Sequence, residues 1–213
     1  MHRTGIAFMA AALVAVTAAG AMAAPVTANI PVTQGWNLVA CPAVPLNPDP
    51  ASVFAGYLEG LIRWDPLKSG GAGYVFYDEF APEEFGNILL GDGYWLRKNT
   101  PGSGTVSYSG ADVSGDHWIS LPKAGWSLVG YPNMTPTSKA YEALLVTNGI
   151  ETKSMADAVA AGWIAGTCLT WINGGYVFVG LPDEFPPLES IEAGKGYWFR
   201  TFQDNLALII PGS

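Results

Sequence analysis

Gly91-Asp92-Gly93-Tyr94-Trp95-Leu96-Arg97 returns 103 residues later as Gly194-Lys195-Gly196-Tyr197-Trp198-Phe199-Arg200. A G-x-G-Y-W-apolar-R heptad that occurs twice in 213 residues marks an internal duplication, and a duplication constrains a fold before local propensity does. Further pairs appear in the same order on either side. Gly35-Trp36-Asn37-Leu38-Val39-Ala40-Cys41-Pro42 matches Gly125-Trp126-Ser127-Leu128-Val129-Gly130-Tyr131-Pro132 at an offset of 90. Gly73-Tyr74-Val75-Phe76 matches Gly175-Tyr176-Val177-Phe178 at an offset of 102. Asp-Glu-Phe then follows in both, as Asp78-Glu79-Phe80 and Asp183-Glu184-Phe185. The offset grows by 12 between the first pair and the second, so the second copy carries an insertion in its middle.

Successive side chains of a strand point to opposite faces. Tyr94 and Leu96 therefore share one face and Trp95 and Arg97 the other, with Tyr197/Phe199 and Trp198/Arg200 repeating the arrangement. The first face is apolar and belongs to a core. The second sets an indole beside a guanidinium two residues on, a pair able to make a cation–π contact. The glycines before the strand supply positive φ or close backbone approach.

The rest of the chain reads as short apolar strands between Gly/Pro-rich turns. In the first copy, strands are expected at Ile30–Thr33 and Trp36–Cys41 as one hairpin, at Leu61–Trp64 and Tyr74–Tyr77 as a second, and at Tyr94–Lys98 and Thr105–Tyr108 as a third. A short helix is expected over 51–58, with Ser52 as its cap. In the second copy, strands are expected at Trp118–Leu121, Trp126–Tyr131, Cys168–Ile172, Tyr176–Val179, Tyr197–Phe202 and Leu206–Ile210, with helices over Lys139–Val146 and Met155–Ala161. The fold class is all-β with short helices, built as two pseudo-symmetric repeats, each a small β-sandwich or barrel of about five strands. The expected boundaries are a leader at 1–23, a first repeat at 24–109, a polar linker at 110–116 and a second repeat at 117–213.

The leader follows from Met1-His2-Arg3, an apolar run from Ile6 to Val16, and small residues up to Ala21-Met22-Ala23. That is the layout of a secretory signal peptide cleaved after Ala23. Its apolar core is shorter than the roughly 20 residues a membrane span requires, and no later segment reaches that length. A secreted, periplasmic or cell-surface location is expected, with no membrane span once the signal is removed. Losing Arg3 from the 10 basic residues leaves 9 against 18 acidic, a surface that repels nucleic acid. Charged residues make up only 13% while aromatic residues reach 12%, with eight tryptophans, as suits a β-rich exported chain. There is one cysteine per copy, Cys41 and Cys168. Paired in an oxidising compartment they would staple the two copies; unpaired they would be small buried hydrophobes.

Chemistry-bearing patterns are sparse. Nucleophilic catalysis needs a nucleophile, a base and an orienting group, yet His117 is the lone histidine outside the leader and no G-x-S-x-G elbow occurs. The G-x-G pairs open strands rather than helices, so a dinucleotide or phosphate loop is excluded. The acids match no calcium-loop spacing, and two lone cysteines with one histidine form no zinc cluster. No cofactor and no metal are expected. Asp78-Glu79 and Asp183-Glu184 offer two acids in matching loops, as glycoside hydrolysis would require, although solvated turn residues explain them better, with Phe80 and Phe185 as the expected loop anchors. Exposed aromatic rings are the stronger lead. Trp36, Trp64 and Trp95 recur as Trp126, Trp171 and Trp198, a recurrence that favours a core role. Trp118 and Trp163 have no tryptophan counterpart in the first copy and are the copy-specific candidates. The candidate ligand-binding set is therefore Trp118, Trp163, Trp95, Arg97, Trp198 and Arg200.

The order GWNLV-x-x-P, short helix, strand pair around Trp64 and GYVF, then G-K-G-Y-W resembles a recurrent β-rich module of bacterial and archaeal exported proteins, whose typical form runs from GWNL[IV]-x-x-P to L-x-P-G-K-GYW. The likeness covers residues 30–211 as two copies. Met155-Ala-Asp-Ala-Val-Ala-Ala-Gly162-Trp163-Ile164 resembles a helix-to-strand segment of the same module. The first copy departs from it at Gly91-Asp92-Gly93, where Asp replaces Lys. The resemblance implies an exported surface or secreted protein and carries no catalytic residues. The expected function is a non-enzymatic interaction or structural module; the alternative is a carbohydrate-binding, lectin-like protein using exposed Trp and Tyr, and a glycoside hydrolase using the Asp-Glu loops ranks third. The expected partner is an extracellular glycan or a protein surface.

Overall fold

The computed structural model describes residues 24–184 and 186–212. The leader expected at 1–23 and Phe185, expected to anchor its loop, lie outside the described residues. The first half contains β1 (Pro25–Val32), β2 (Gly35–Ala40), β3 (Val44–Pro45), α1 (Pro50–Val53), β4 (Ile62–Asp65), β5 (Gly73–Phe76), α2 (Pro82–Phe85), β6 (Gly93–Lys98) and β7 (Gly104–Ala111). The second contains β8 (His117–Leu121), β9 (Gly125–Gly130), β10 (Ser138–Ala140), β11 (Leu145–Thr147), β12 (Thr152–Ser154), α3 (Met155–Ala160), β13 (Thr167–Ile172), β14 (Gly175–Gly180), β15 (Ser190–Glu192), β16 (Gly196–Thr201) and β17 (Leu206–Ile210). The chain is all-β with short helices.

Four antiparallel sheets stack in sequence, and β10 and β15 pair separately as a short ribbon. An outer sheet β1-β7-β3 faces an inner sheet β2-β6-β4-β5 across a core of Ile30, Val39, Cys41, Tyr94, Leu96, Val106 and their neighbours. The second half repeats the arrangement with an outer sheet β12-β11-β17-β8 on an inner sheet β14-β13-β16-β9, around Leu121, Val129, Cys168, Tyr197, Phe199 and Leu208. The inner sheets have the same order once each strand is replaced by its sequence counterpart. They meet face to face through Leu38, Ile62, Trp95, Leu128 and Trp198. Alternation explains why the GWNLV and GYW strands are apolar almost throughout: Val39 and Tyr94 feed the first core while Leu38 and Trp95 feed the central layer.

Several sequence-based expectations need correction. The segments Ile30–Thr33 and Trp36–Cys41 do not form a hairpin, because β1 pairs with β7 and β2 pairs with β6. For the same reason β6 and β7 do not pair; the turns at 33–34 and 99–103 carry the chain from one sheet to the other. Lys139–Val146 is not a helix. It is divided between β10, a 3-10 turn at Tyr141–Ala143 and β11, since Tyr141, Leu144 and Val146 are drawn into the core of the second half. The helix expected over 51–58 is shorter, and its cap is Asp49, whose carboxylate accepts from the Ala51 N–H at 2.7 Å. β7 runs through Ala111, two residues into the expected linker, because Gly110 and Ala111 pair with Val26 and Pro25. Phe80 is 88% exposed and anchors nothing.

A Cys41–Cys168 staple is absent: both thiols are free and buried in different cores, with the two inner sheets between them. Burial pushes the Cys41 thiol up to about 12, against a hydrogen bond with Tyr108 that pulls it down. Among the described residues, no helix is long and apolar enough to cross a membrane, and no cluster of three His, Cys, Asp or Glu is placed to hold a metal ion.

Candidate functional site: an aromatic cleft between the inner sheets

The glycine pairs of the repeated heptad bring the halves together. Gly91 and Gly194 have φ of 87° and 78°, the left-handed region open to glycine. Their carbonyls cross to the other half, where Gly91 O accepts from Gly130 N–H at 2.8 Å and Gly194 O accepts from Ala40 N–H at 3.1 Å. The bridges Asp92↔Val129 and Val39↔Lys195 flank these bonds, so each contact reappears when the halves are exchanged. Gly93 and Gly196 permit close approach: a Cβ on Gly93 would lie 2.8 Å from Leu128 Cγ, and one on Gly196 3.0 Å from Val39 O. Tyr94 and Tyr197 fix the loop ahead of each strand, their hydroxyls accepting from Leu89 N–H at 2.8 Å and Glu192 N–H at 2.7 Å.

With the sheets so placed, the indole of each heptad enters the opposite half. Trp95 meets Trp171 at 5.4 Å and Tyr176 at 6.2 Å; Trp198 meets Trp64 at 5.1 Å and Tyr74 at 6.2 Å. Trp36 and Trp126 complete the two sets at 6.0 and 6.5 Å from Trp95 and Trp198. These contacts are edge-to-face, at 76–86°, the arrangement favoured by the ring quadrupole. Trp64 Nε1 donates to Trp126 O at 2.8 Å, a further bond between halves. Towards the edge strands β5 and β14 the sheets leave a cleft. Two cavities occupy it, of about 340 Å³ among Trp64, Trp126, Leu169 and Trp198, and about 370 Å³ among Trp36, Ile62, Trp95 and Trp171. Tyr74 and Tyr176 border both, each roughly half exposed. Burial raises the Tyr176 phenol, and the neighbouring Tyr74 adds to the shift while the Trp198 N–H opposes it. That N–H is close enough to act on the Tyr176 phenol yet does not meet it at full hydrogen-bond geometry, and Trp198 Nε1 has no other partner among the described residues.

The residues singled out in the sequence divide into three groups. Trp95 and Trp198 come together at the centre of the cleft. Arg97 and Arg200 do not stack on them. Each guanidinium lies over the tryptophan directly opposite on the paired strand, Arg97 over Trp36 at 5.8 Å and Arg200 over Trp126 at 5.7 Å. Cross-strand neighbours in register lie within reach of one another, and Arg200 also covers Phe202, two residues on, at 5.6 Å. Trp118 and Trp163 lie elsewhere. Trp118 is 63% exposed on β8, the edge strand of an outer sheet. Trp163 is only 5% exposed in the second core, with Lys153 Nζ 4.9 Å over its ring, which removes it as an exposed binding residue.

Sequence reasoning missed Tyr74, Tyr176 and Phe76 as site residues. The readable signal was alternation within GYVF, which puts Tyr and Phe on one face and Val on the other. Neither Asp-Glu pair borders the two central cavities, and the Asp78 carboxylate accepts from the Phe80 N–H at 2.9 Å, closing its own turn. His117 begins β8 in an outer sheet. In comparisons with known proteins, the chain matches no family model, no curated protein and no solved structure.

Proposed function

We propose that this protein is an exported, non-enzymatic binding module, two β-sandwiches descended from one duplicated unit that hold a ligand in the cleft where their inner sheets meet. One observation carries the reading: Trp36, Tyr74, Phe76, Trp126 and Tyr176 remain partly open to solvent around cavities whose walls, among the described residues, hold no charged side chain. Cavities of this size with apolar walls and a few polar groups are the usual form of a ligand site. Rings so exposed are costly to keep in water unless something covers them. Among the described residues the walls hold no carboxylate, imidazole, amine, thiol or aliphatic hydroxyl, and the Tyr74 and Tyr176 phenols are their only titratable groups, which favours recognition over catalysis. Export is supported by the leader pattern, and the common origin of the halves by the shared motif order and the matched strand order.

The test is a double variant, Tyr74→Ser/Tyr176→Ser, screened beside the parent chain against an array of extracellular glycans, peptides and surface polymers. Both rings lie on edge strands, so the variant is expected to keep the parent's circular dichroism and to lose its binding. Undiminished binding by the folded variant would place the binding surface elsewhere.

A further inference from the structure

The cleft extends past its two central cavities. Trp36 and Trp171 also border a cavity of about 600 Å³ that reaches Thr33, Gln34 and Asn173, and Trp126 borders one of about 400 Å³ that reaches Lys68 and Lys123. Neighbouring cavities share rings: Trp36 and Trp171, then Tyr74 and Tyr176, then Trp126. The four therefore follow one another along a single groove.

Taking the cleft as the binding surface, we infer that this groove accepts a neutral oligosaccharide chain, with one sugar ring in each central cavity and flanking units over the ends. Three features select that ligand. The central walls carry no charge, so an ionic group entering them would lose its hydration and gain no partner. A sugar ring brings an apolar C–H face to the indoles and phenols, and the contact gains dispersion and burial at no electrostatic cost.

The second feature is Trp198 Nε1, a buried donor that has only the neighbouring Tyr176 phenol beside it and no partner at full hydrogen-bond geometry. A desolvated donor calls for an acceptor. This disfavours a quaternary ammonium ion, which perpendicular aromatic walls would otherwise suit, since it offers no acceptor and would set positive charge beside the positive end of the N–H dipole. A ring hydroxyl supplies the acceptor. Tyr176 stands beside the N–H and is half exposed, so an acceptor that reaches the donor must share it with the phenol or displace it.

The third feature is the polar complement. Tyr74 and Tyr176 at the centre, with Thr33, Gln34 and Asn173 at one end, each combine donor and acceptor capacity. Hydroxyl groups answer both. A proline-rich peptide also presents flat apolar rings, but its prolines have no N–H and would leave the acceptor side of these groups unanswered.

Titration calorimetry with the leaderless chain tests the assignment, using neutral oligosaccharides of glucose, mannose, xylose and N-acetylglucosamine, a polyproline peptide and tetramethylammonium. Affinity for at least one sugar series is expected to rise with length and level off at about four units, one per cavity. Trp198→Phe keeps a ring and removes the N–H, and is expected to weaken binding about 10-fold. Tyr176→Ala, at an exposed position, is expected to weaken it as well, and Trp118→Phe on the outer sheet to leave it unchanged. The sugar assignment is overturned if none of the series binds at millimolar concentration, or if Trp198→Phe and Tyr176→Ala both bind as the parent does. Binding of the peptide or the ammonium ion alone, abolished by Tyr74→Ser/Tyr176→Ser, would overturn the ligand class and leave the cleft as the binding surface. Sugar binding that survives that double variant would overturn both.

Discussion

Replacing Asp92 by asparagine should stabilise the protein at neutral pH and cease to matter in acid. Asp92 sits where the halves cross, bridged to Val129 and next to the Gly91–Gly130 hydrogen bond. Burial is the main reason its carboxyl is pushed from 3.8 up to about 6, and the Arg63 guanidinium offsets part of that rise. Tyr94, the other titratable group beside it, is itself held well above its ordinary range by burial. The folded carboxyl thus takes up its proton near pH 6 and the unfolded one near pH 4, so folding binds a proton between those values. Stability must then fall as pH rises through that window, and above it the ionised carboxylate is a constant penalty. About two pH units correspond to a ceiling of about 3 kcal/mol; the side chain keeps some solvent contact, which reduces the expected penalty to about 1–2 kcal/mol. A carboxamide at this position would have nearly the same shape and no charge to lose. At about 2–4 °C per kcal/mol, Asp92→Asn should raise the melting temperature by roughly 2–8 °C at neutral pH, and the gain should vanish near pH 4. Scanning calorimetry of both proteins from acid to neutral pH reads this directly. Equal melting temperatures at neutral pH, or a gain that persists undiminished into acid, would refute burial as the governing effect.

Other perturbations probe the same architecture. Gly130→Ala would put a Cβ 2.3 Å from Ala40 Cβ and 2.7 Å from Asp92 O, so a loss of about 1–3 kcal/mol is expected from overpacking. Adding Ala40→Gly should recover part of it in thermal melts, and an unchanged melting temperature in the single variant would contradict the close approach. Both thiols should resist maleimide in the folded protein and react fully in denaturant without reductant; a denatured protein that takes up no label would reinstate the disulfide. Lys98 Nζ donates to Thr100 O and Oγ1 at 2.7 Å and to Pro101 O at 3.1 Å, and Lys98→Met should lower the denaturant midpoint by the equivalent of about 1–3 kcal/mol. An unshifted midpoint would mean that water replaces the ammonium.

Much of the layering was legible from alternation alone. Tyr94 and Leu96 point to a core, and Trp95 points the other way, as their spacing requires. Strand partners were not legible. The turns at 33–34 and 99–103 have hairpin composition, yet the strands on either side belong to different sheets, because β2 and β6 have apolar faces on both sides and must lie in an inner layer. Helical spacing of apolar residues over 139–146 misled in the same way, since Tyr141, Leu144 and Val146 reach their core from a turn and a strand. At the site, recurrence was read as a mark of the core and uniqueness as a mark of function. The proposed site reverses that weighting. A residue on the boundary between two copies recurs as faithfully as one inside each copy, so Trp36 and Trp126 looked structural while Trp118 and Trp163 drew attention away from the cleft. Nothing local to either copy reveals that the copies face each other.

Joining the halves in one chain also gives the groove a direction. In a dimer of identical subunits both ends of such a groove would be the same, and a ligand would fit equally well either way round. Here the corresponding ends differ: Thr33 and Gln34 at one end stand where Lys123 and Ala124 stand at the other. On the proposed reading, a ligand chain whose two termini differ would meet an amide and a hydroxyl at one end and ammonium groups at the other, and one orientation would be preferred.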